Sequence, residues 1–412
     1  MIETDLRLVS CLAIFLFTYL VLGIGRIPIL RIDRTGAAMV GGVAMVVFGF
    51  ITSSRALAAI DFPTLALLFG MMIVVANLRI TGVFSRIATM VFLRARTGYG
   101  LLAVTVALSG TLAAFFINDV VCLVFTPVVL DAAEAVEADP RPFLLGLAVA
   151  SNIGSAATIT GNPQNMIVAG FAHLDYLKFA LRLAPAAIAG LAAAWGIIAT
   201  IYRSDLGPHR THPRHSPAHR RATRVPRSMM IKPVAVALAT LVGFATGFPT
   251  HLVALSAAAI LLMTRRIKPH RVYGEIDWPL LLMFAGLFVV VAGAETTGID
   301  KQTLAWIGRD RLSHPITLAA VVAILSNIVS NVPAVLLFKP IYPMLARPTE
   351  TALILASVST YAGNLTVLGS IANLIVVENA RRRGIAISFG EYAKVGIPIT
   401  IATIAIDLLF LR

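Results

Sequence analysis

The stretch from Ser151 to Val168, SNIGSAATITGNPQNMIV, is apolar enough to lie in lipid, yet carries Ser, Thr, Asn, Gly and Pro where a plain spanning helix carries Leu. Short hydroxyl and amide side chains can replace the hydration shell of a small solute without importing a fixed charge. Gly161-Asn162-Pro163 should stop a helix, because Pro163 lacks an amide proton and pushes Asn162 out of the helical basin. A helix broken at membrane depth exposes N–H groups at its new N-terminus, which suit an anion. The carbonyls at the other end suit a cation or a proton donor. A second stretch, Tyr361 to Val376 (YAGNLTVLGSIANLIV), repeats the pattern: Thr158, Gly161 and Asn165 correspond to Thr366, Gly369 and Asn373 with identical internal spacing. Two interrupted helices in matching positions of two halves point to the substrate site of a secondary transporter.

The candidate substrate-binding residues of the first break are Ser155, Thr158, Thr160, Gly161, Asn162 and Asn165. Those of the second are Asn364, Thr366, Gly369, Ser370 and Asn373. Asn118, Ser330 and Asn331 join them from the polar tips of two hairpins. For any single one of these, helix–helix hydrogen bonding worth about 0.6 kcal/mol is the plainer account. Their clustering and duplication favour a binding site. Asp119 is a carboxylate at membrane depth, costly and by default functional. It could carry a coupling proton, coordinate Na⁺, or cap the half-helix that follows. Asp61 and Asp277 each precede an aromatic residue and Pro at a span end, where helix capping accounts for them. Cys122, one turn past Asp119, could meet a soft metalloid, although a buried thiol is more often packing. No His or paired carboxylates sit at depth, so an enzyme is not expected, and no cofactor is implied beyond a coupling H⁺ or Na⁺.

The elements that must position these residues are membrane helices. The chain of 412 residues is 58% hydrophobic and 13% charged, far from a soluble domain. Unalternated apolar runs exclude a barrel, and hydrocarbon leaves helices as the spanning form. In the first repeat, 1–202, spans are expected at 8–24, 36–54 and 62–79. A basic amphipathic helix or short span follows at 83–97, with Arg79, Arg86, Arg94 and Arg96. Then come a re-entrant hairpin with short arms (about 99–130), a broken helix (about 143–170) and a span at 183–202 after an amphipathic approach. The hairpin could instead be one long kinked span with Asn118 bonded to a neighbour. In the second repeat, 233–412, spans are expected at 233–248, 251–265 and 279–295. A hairpin (about 315–346), a broken helix (about 350–380) and a last span at 394–411 complete it. Ile60-Asp61-Phe62-Pro63 recurs as Ile276-Asp277-Trp278-Pro279, Gly70 as Gly286 and Thr81-Gly82 as Thr297-Gly298, all at one offset.

The net charge of +14 is concentrated: Arg203 to Lys232 holds eight Lys/Arg against Asp205 alone. That marks a cytoplasmic linker rather than a nucleic-acid surface. Its His209, His212, His215 and His219 match no closed metal site and read as a solvated, disordered segment. Five crossings plus a hairpin per half is an odd number, so the second half enters upside down. Arg26–Arg34, Arg79–Arg96, Arg265–Arg271 and Arg381–Arg383 then fall on the side of the linker. Both termini are expected outside the cytoplasm of a cell (inner) membrane. The fold expected is thus all-α and polytopic, built from two inverted repeats of five transmembrane helices plus a re-entrant hairpin each, with discontinuous helices at the midplane.

The tips FxND…TP (Phe116, Asn118, Asp119, Thr126, Pro127) and SNVP (Ser330 to Pro333), with TGNPQN (Thr160 to Asn165) and LGSIANL (Leu368 to Leu374), resemble the ion transporter superfamily. The nearest flavour is its arsenite-permease and citrate-transporter-like branch, related to the divalent anion/sodium symporters. The resemblance covers nearly the whole chain and implies an elevator-like motion of hairpins and broken helices against a scaffold. The dicarboxylate carriers' Ser-Asn-Thr tip is replaced here by Ile117-Asn118-Asp119 and Ser330-Asn331-Val332. The expectation is therefore an ion-coupled transporter of a small anion or metalloid oxyanion, of arsenite or antimonite type. The alternatives are a citrate or dicarboxylate symporter and a Na⁺/H⁺ antiporter. Expected partners are the bilayer, the anion and the coupling ion. A homodimer stays open, and with no GxxxxGK[ST] loop present any ATPase would be a separate chain.

Overall fold

A computed structural model describes residues 2–27, 31–92, 95, 97–135, 137–206, 226–264, 267–298 and 308–411. The four histidines of the linker, most of the linker itself, Arg94, Arg96 and Arg265 lie outside the described residues.

The first half runs α1 (Ile2–Ile24), a ribbon of β1 (Arg26–Ile27) and β2 (Ile32–Asp33), α2 (Arg34–Val47), α3 (Ser53–Ala59), α4 (Phe62–Ile80), α5 (Val83–Phe92), α6 (Gly98–Phe115), α7 (Asn118–Ala135), α8 (Arg141–Ser155), α9 (Pro163–Phe171) and α10 (Tyr176–Ile201). The second half runs α11 (Arg227–Ala245), α12 (Thr250–Leu262), α13 (Pro269–Tyr273), α14 (Trp278–Glu295), α15 (Arg309–Leu312), α16 (Pro315–Val329), α17 (Asn331–Phe338), α18 (Pro348–Ala362), α19 (Ile371–Arg381) and α20 (Phe389–Leu411). The only strands among the described residues are the two-residue pair, antiparallel with Arg26 opposite Asp33. The protein is an all-α polytopic membrane protein, with seven helices long and apolar enough to cross a bilayer among the described residues.

Local chemistry sets the helix starts. Asp33 accepts from the Gly36 amide, Asp61 from Thr64, Thr97 from Gly100, Asp175 from Lys178 and Asp277 from Leu280. Each satisfies one of the amides that a helix leaves open at its first turn. Asp61 and Asp277 are therefore caps, with nearly matching backbone angles (φ −73°, ψ 86° and φ −80°, ψ 77°).

Some boundaries differ from expectation. The second span stops at Val47 rather than 54, because the chain turns at Gly49 with φ 71° and restarts as α3 under a Thr52 cap. The approach at Tyr176 and the span after it are one helix, α10, that continues through Pro185. The first hairpin has arms of 18 residues each, not short ones. At 1.5 Å per residue that is about 27 Å. The second hairpin is shorter, with arms of 15 and 8 residues. α5 has ten residues, about 15 Å, too short for a bilayer core of ~30 Å. Its Phe84 and Phe92 pack edge-on against Phe116 and Phe125 of the first hairpin.

Small residues bring the halves together. Gly70 of α4 packs so closely on α12 that a Cβ would sit 2.6 Å from the Ala254 carbonyl carbon. Gly286 of α14 packs on α2, where a Cβ would sit 2.5 Å from the Ala38 carbonyl oxygen. The contacts are reciprocal: the fourth helix of each half lies on the second helix of the other. Close backbone approach at small residues is how membrane helices gain packing energy without a hydrophobic driving force.

Candidate functional site

The two breaks have the same backbone. After α8, Thr158 is extended (φ −138°, ψ 163°), Ile159–Gly161 form one tight turn, and Asn162 is extended again before α9. After α18, Thr366 has the same angles (φ −138°, ψ 163°), Val367–Gly369 form the turn, and Ser370 precedes α19. Breaking a helix frees carbonyls that hydrocarbon cannot solvate. Asn165 Nδ2 donates to the carbonyls of Ser155 (3.0 Å) and Thr158 (2.8 Å). Asn373 Nδ2 donates to those of Gly363 (2.7 Å) and Thr366 (3.1 Å). Gly161 is obligatory, since a Cβ there would lie 2.1 Å from the Ser155 carbonyl oxygen.

Two further residues tie each break to the opposite half. Asn152 of α8 donates to Asn364 Oδ1 (2.8 Å) and Asn373 Oδ1 (3.0 Å), and accepts from Asn118 Nδ2 (2.9 Å) and Ser370 Oγ (3.0 Å). All four hydrogen-bonding positions of its amide are used. Thr360, at the matching place on α18, donates to the Ala356 carbonyl (2.8 Å) and accepts from Asn162 Nδ2 and Gln164 Nε2 (both 3.1 Å). The sequence reading missed both. The signal was available, because Asn152 and Thr360 stand the same distance ahead of Asn165 and Asn373.

The two hairpin tips and the two breaks line one cavity of about 190 Å³, with Asn118, Asp119, Gln164, Asn331 and Ser370 on its wall. The N-termini of α7, α9, α17 and α19 all reach it, and those of α2 and α14 complete the wall with Arg34 and Asp277. Each N-terminus carries roughly half a positive charge, and Arg34 adds a full one. Arg34 donates from Nε to the Leu22 carbonyl (3.0 Å) and has no carboxylate partner among the described residues. Ser330, at the second tip, has φ 78° and ψ 160°, a strained conformation for any residue but glycine. Asn331 Oδ1 and, one turn earlier, Asn327 Oδ1 are buried and have no donor partner among the described residues.

Of the residues expected to bind substrate, the cavity wall includes Asn118, Ser330, Asn331 and Ser370, with Asp119. The others stand behind the wall. Thr158 Oγ1 donates to the Ala114 carbonyl, Thr160 shares a bond with the Tyr176 hydroxyl (3.1 Å), and Asn162 Nδ2 reaches Ser155 Oγ (3.0 Å). Asn165, Asn364, Asn373, Gly161 and Gly369 shape or satisfy the breaks, and the Thr366 carbonyl accepts from Asn373. Arg34, Gln164 and Asp277 line the cavity although the sequence reading placed none of them there.

Residues 17–356 match the model of the citrate transporter family. The chain belongs to that family. It is 29% identical over 452 residues to a silicon efflux transporter of rice (Oryza sativa), covering 93% of both chains. It is 30% identical over 402 residues to an uncharacterized transporter of Mycobacterium tuberculosis, covering 92% of this chain and 94% of the other. Its fold is similar to that of the Alcanivorax borkumensis YdaH transporter, with a TM-score of 0.59 at 13% identity over 99% of this chain and 97% of that one. This citrate-transporter-family protein is a membrane carrier of small ions or anions of the ion transporter superfamily, not an enzyme.

Proposed function

We propose that the protein is a cation-coupled symporter for a small carboxylate anion of citrate type, with the cavity as its substrate site. The carrying observation is the convergence of six helix N-termini and the unpaired Arg34 guanidinium on one cavity. Amide dipoles and a guanidinium together favour a multivalent oxyanion over a neutral solute. Membership of the citrate transporter family supports a carboxylate in place of the arsenite or antimonite first expected. A second reading, a neutral or weakly acidic metalloid hydroxide, is favoured by the similarity to the rice silicon efflux transporter. In this proposal Asn118, Asp119, Ser330, Asn331 and Ser370 touch the solute or its coupling ion, and the remaining break residues hold the wall. Asp119 supplies the protonatable group, and the donor-free Asn331 oxygen suits a hard cation such as Na⁺.

Two inverted repeats of five crossings and one hairpin supply the alternating access. The matched angles at Thr158 and Thr366, the paired roles of Asn165 and Asn373, and the reciprocal Gly70 and Gly286 contacts support the repeat. The repeats differ in surroundings: the first break is buried throughout, whereas Leu368 in the second is 70% exposed. The basic linker and Arg381–Arg383 support a cytoplasmic side for those loops and both termini outside.

The test is flux into proteoliposomes with citrate, succinate, arsenite, antimonite and silicic acid, each with and without Na⁺ and pH gradients. Citrate uptake that needs a cation gradient is expected. Transport of arsenite, antimonite or silicic acid with no carboxylate uptake would reject this reading and favour the second.

A further inference from the structure

Outside the cavity, one buried ionisable group has no place in the mechanism above. Asp407 lies in α20 with no accessible surface, packed against α18. An intramembrane carboxylate is normally paired with a base, and Asp407 has none among the described residues. Among the described residues of the helices around it, Arg141 and Glu391 pair with each other, as do Arg347 and Glu350. Lys178 and Arg182 of α10 are exposed, Lys394 of α20 is near that helix's other end, and α16 carries no titratable side chain. Among the described residues, the titratable side chain next to it along α18 is Tyr361, one turn past Ser357, its hydroxyl buried and without a hydrogen-bond partner.

Counting protons links the state of the carboxyl to the direction of the Ser357 hydroxyl. Ser357 Oγ lies 2.8 Å from the Leu353 carbonyl oxygen and 2.6 Å from Asp407 Oδ2. A hydroxyl has one proton and cannot donate to both. If Ser357 donates to Leu353, the short contact to Asp407 is a bond only when the carboxyl carries a proton and donates it to Ser357 Oγ. The other oxygen, Asp407 Oδ1, is buried without a partner, and so is the Tyr361 hydroxyl one turn along α18. An orphaned oxygen is tolerable on a neutral acid and far more costly on a carboxylate in low dielectric.

We propose that Asp407, Ser357 and Tyr361 form a second proton-binding site in the α18–α20 interface, separate from the cavity, which is loaded with H⁺ in this conformation. Proton loss leaves a carboxylate. The Ser357 hydroxyl then turns from Leu353 to Asp407 Oδ2, and Tyr361 is the donor available to Oδ1. No other bond changes. Both partners sit on α18, the helix that runs into the second break. The Tyr361 carbonyl accepts from the Asn364 amide (3.0 Å) and from Thr400 Oγ1 of α20 (3.4 Å). The protonation state of Asp407 thus sets which side-chain bonds join α18 to α20 just ahead of the second break. Its role in coupling rests on the symporter reading, whereas its protonation does not.

The infrared spectrum of the purified protein in lipid tests protonation without any substrate. A carbonyl stretch of a protonated carboxylic acid is expected near neutral pH, shifted in D₂O, lost in Asp407→Asn and moved to higher frequency in Ser357→Ala, where the acid has no acceptor. Asp407→Asn keeps the side chain's size and its contact with Ser357. Should it fail to fold, the Ser357→Ala shift carries the test. In proteoliposomes, Asp407→Asn is expected to lose the stimulation of net uptake by a pH gradient while keeping citrate–citrate exchange. An Asp407→Asn spectrum identical to wild type, or a wild-type band that emerges only when Na⁺ is withdrawn, overturns the proposal. A full pH response in Asp407→Asn overturns the coupling role. Absence of any citrate flux in the wild type would reject the substrate reading and leave the infrared result standing.

Discussion

Asn152→Ala removes the amide on which the two halves meet. The substitution deletes four hydrogen bonds, to Asn118, Asn364, Ser370 and Asn373, and leaves their partner atoms in a dry interface. Intramembrane hydrogen bonds average about 0.6 kcal/mol and reach about 1.7. Four at the average give about 2.4 kcal/mol. The stranded groups lose their partners and a small cavity is left, so the expected loss is about 2–4 kcal/mol. Reversible unfolding in mixed micelles reads this directly, and flux reads the consequence, because Asn118 and Ser370 lose the bonds that hold them on the cavity wall. Thr360→Ala is the matched perturbation. It deletes two bonds to the first break and one within α18, for an expected loss of about 2 kcal/mol on the same scale. If Asn152→Ala unfolds within about 0.5 kcal/mol of wild type and transports normally, the shared network is not what joins the halves, and the reasoning fails.

The remaining expectations are simpler. Asn165→Ala and Asn373→Ala each remove two bonds to break carbonyls, so each should cost about 1–3 kcal/mol in the same unfolding assay; a large effect for one and none for the other would undo the equivalence of the breaks. Gly154→Ala places a Cβ 2.0 Å from the Gly110 carbonyl oxygen and should lower folded yield or unfolding free energy by at least about 3 kcal/mol, while Gly196→Ala, with nothing within 4 Å, should leave both unchanged. Asp119→Asn should abolish the dependence of uptake on a pH gradient; intact dependence would show that Asp119 is not the proton carrier.

What the sequence made legible was local. A Gly-Asn-Pro run announces a helix stop wherever it occurs, and duplicated spacing announces a second copy, so both breaks and both tips could be placed from residue type alone. The caps at Asp61 and Asp277 were legible for the same reason. Asn152 and Thr360 were not, because nothing in their own helices requires them; their partners come from the other half of the chain, and only the packing of α8 against the second break discloses them. Arg34 was missed at the cavity by a similar route. As one of several arginines in a loop it counts towards topology, and its place at the start of α2 facing the cavity depends on how α2 packs against α14.

The charges of the cavity wall explain how an anion and a proton could be coupled without touching the same atom. Arg34 contributes one positive charge, Asp119 and Asp277 two negative ones, and no other charged residue lines the wall. Asp277 is tied to the first turn of α14 through the Leu280 amide (3.0 Å) and so is partly neutralised by a helix end. Asp119 accepts no hydrogen bond among the described residues, and its charge opposes an entering carboxylate. Protonating Asp119 removes that opposition while Arg34 and the amide ends remain. Anion binding must in turn raise the proton affinity of Asp119 by the same factor, because linkage is reciprocal. A cavity with two fixed acids and no Arg34 would repel its substrate, and one with Arg34 and no acid would bind it without regard to the proton. On the proposed symporter reading, it is the mixture that couples the anion to the proton.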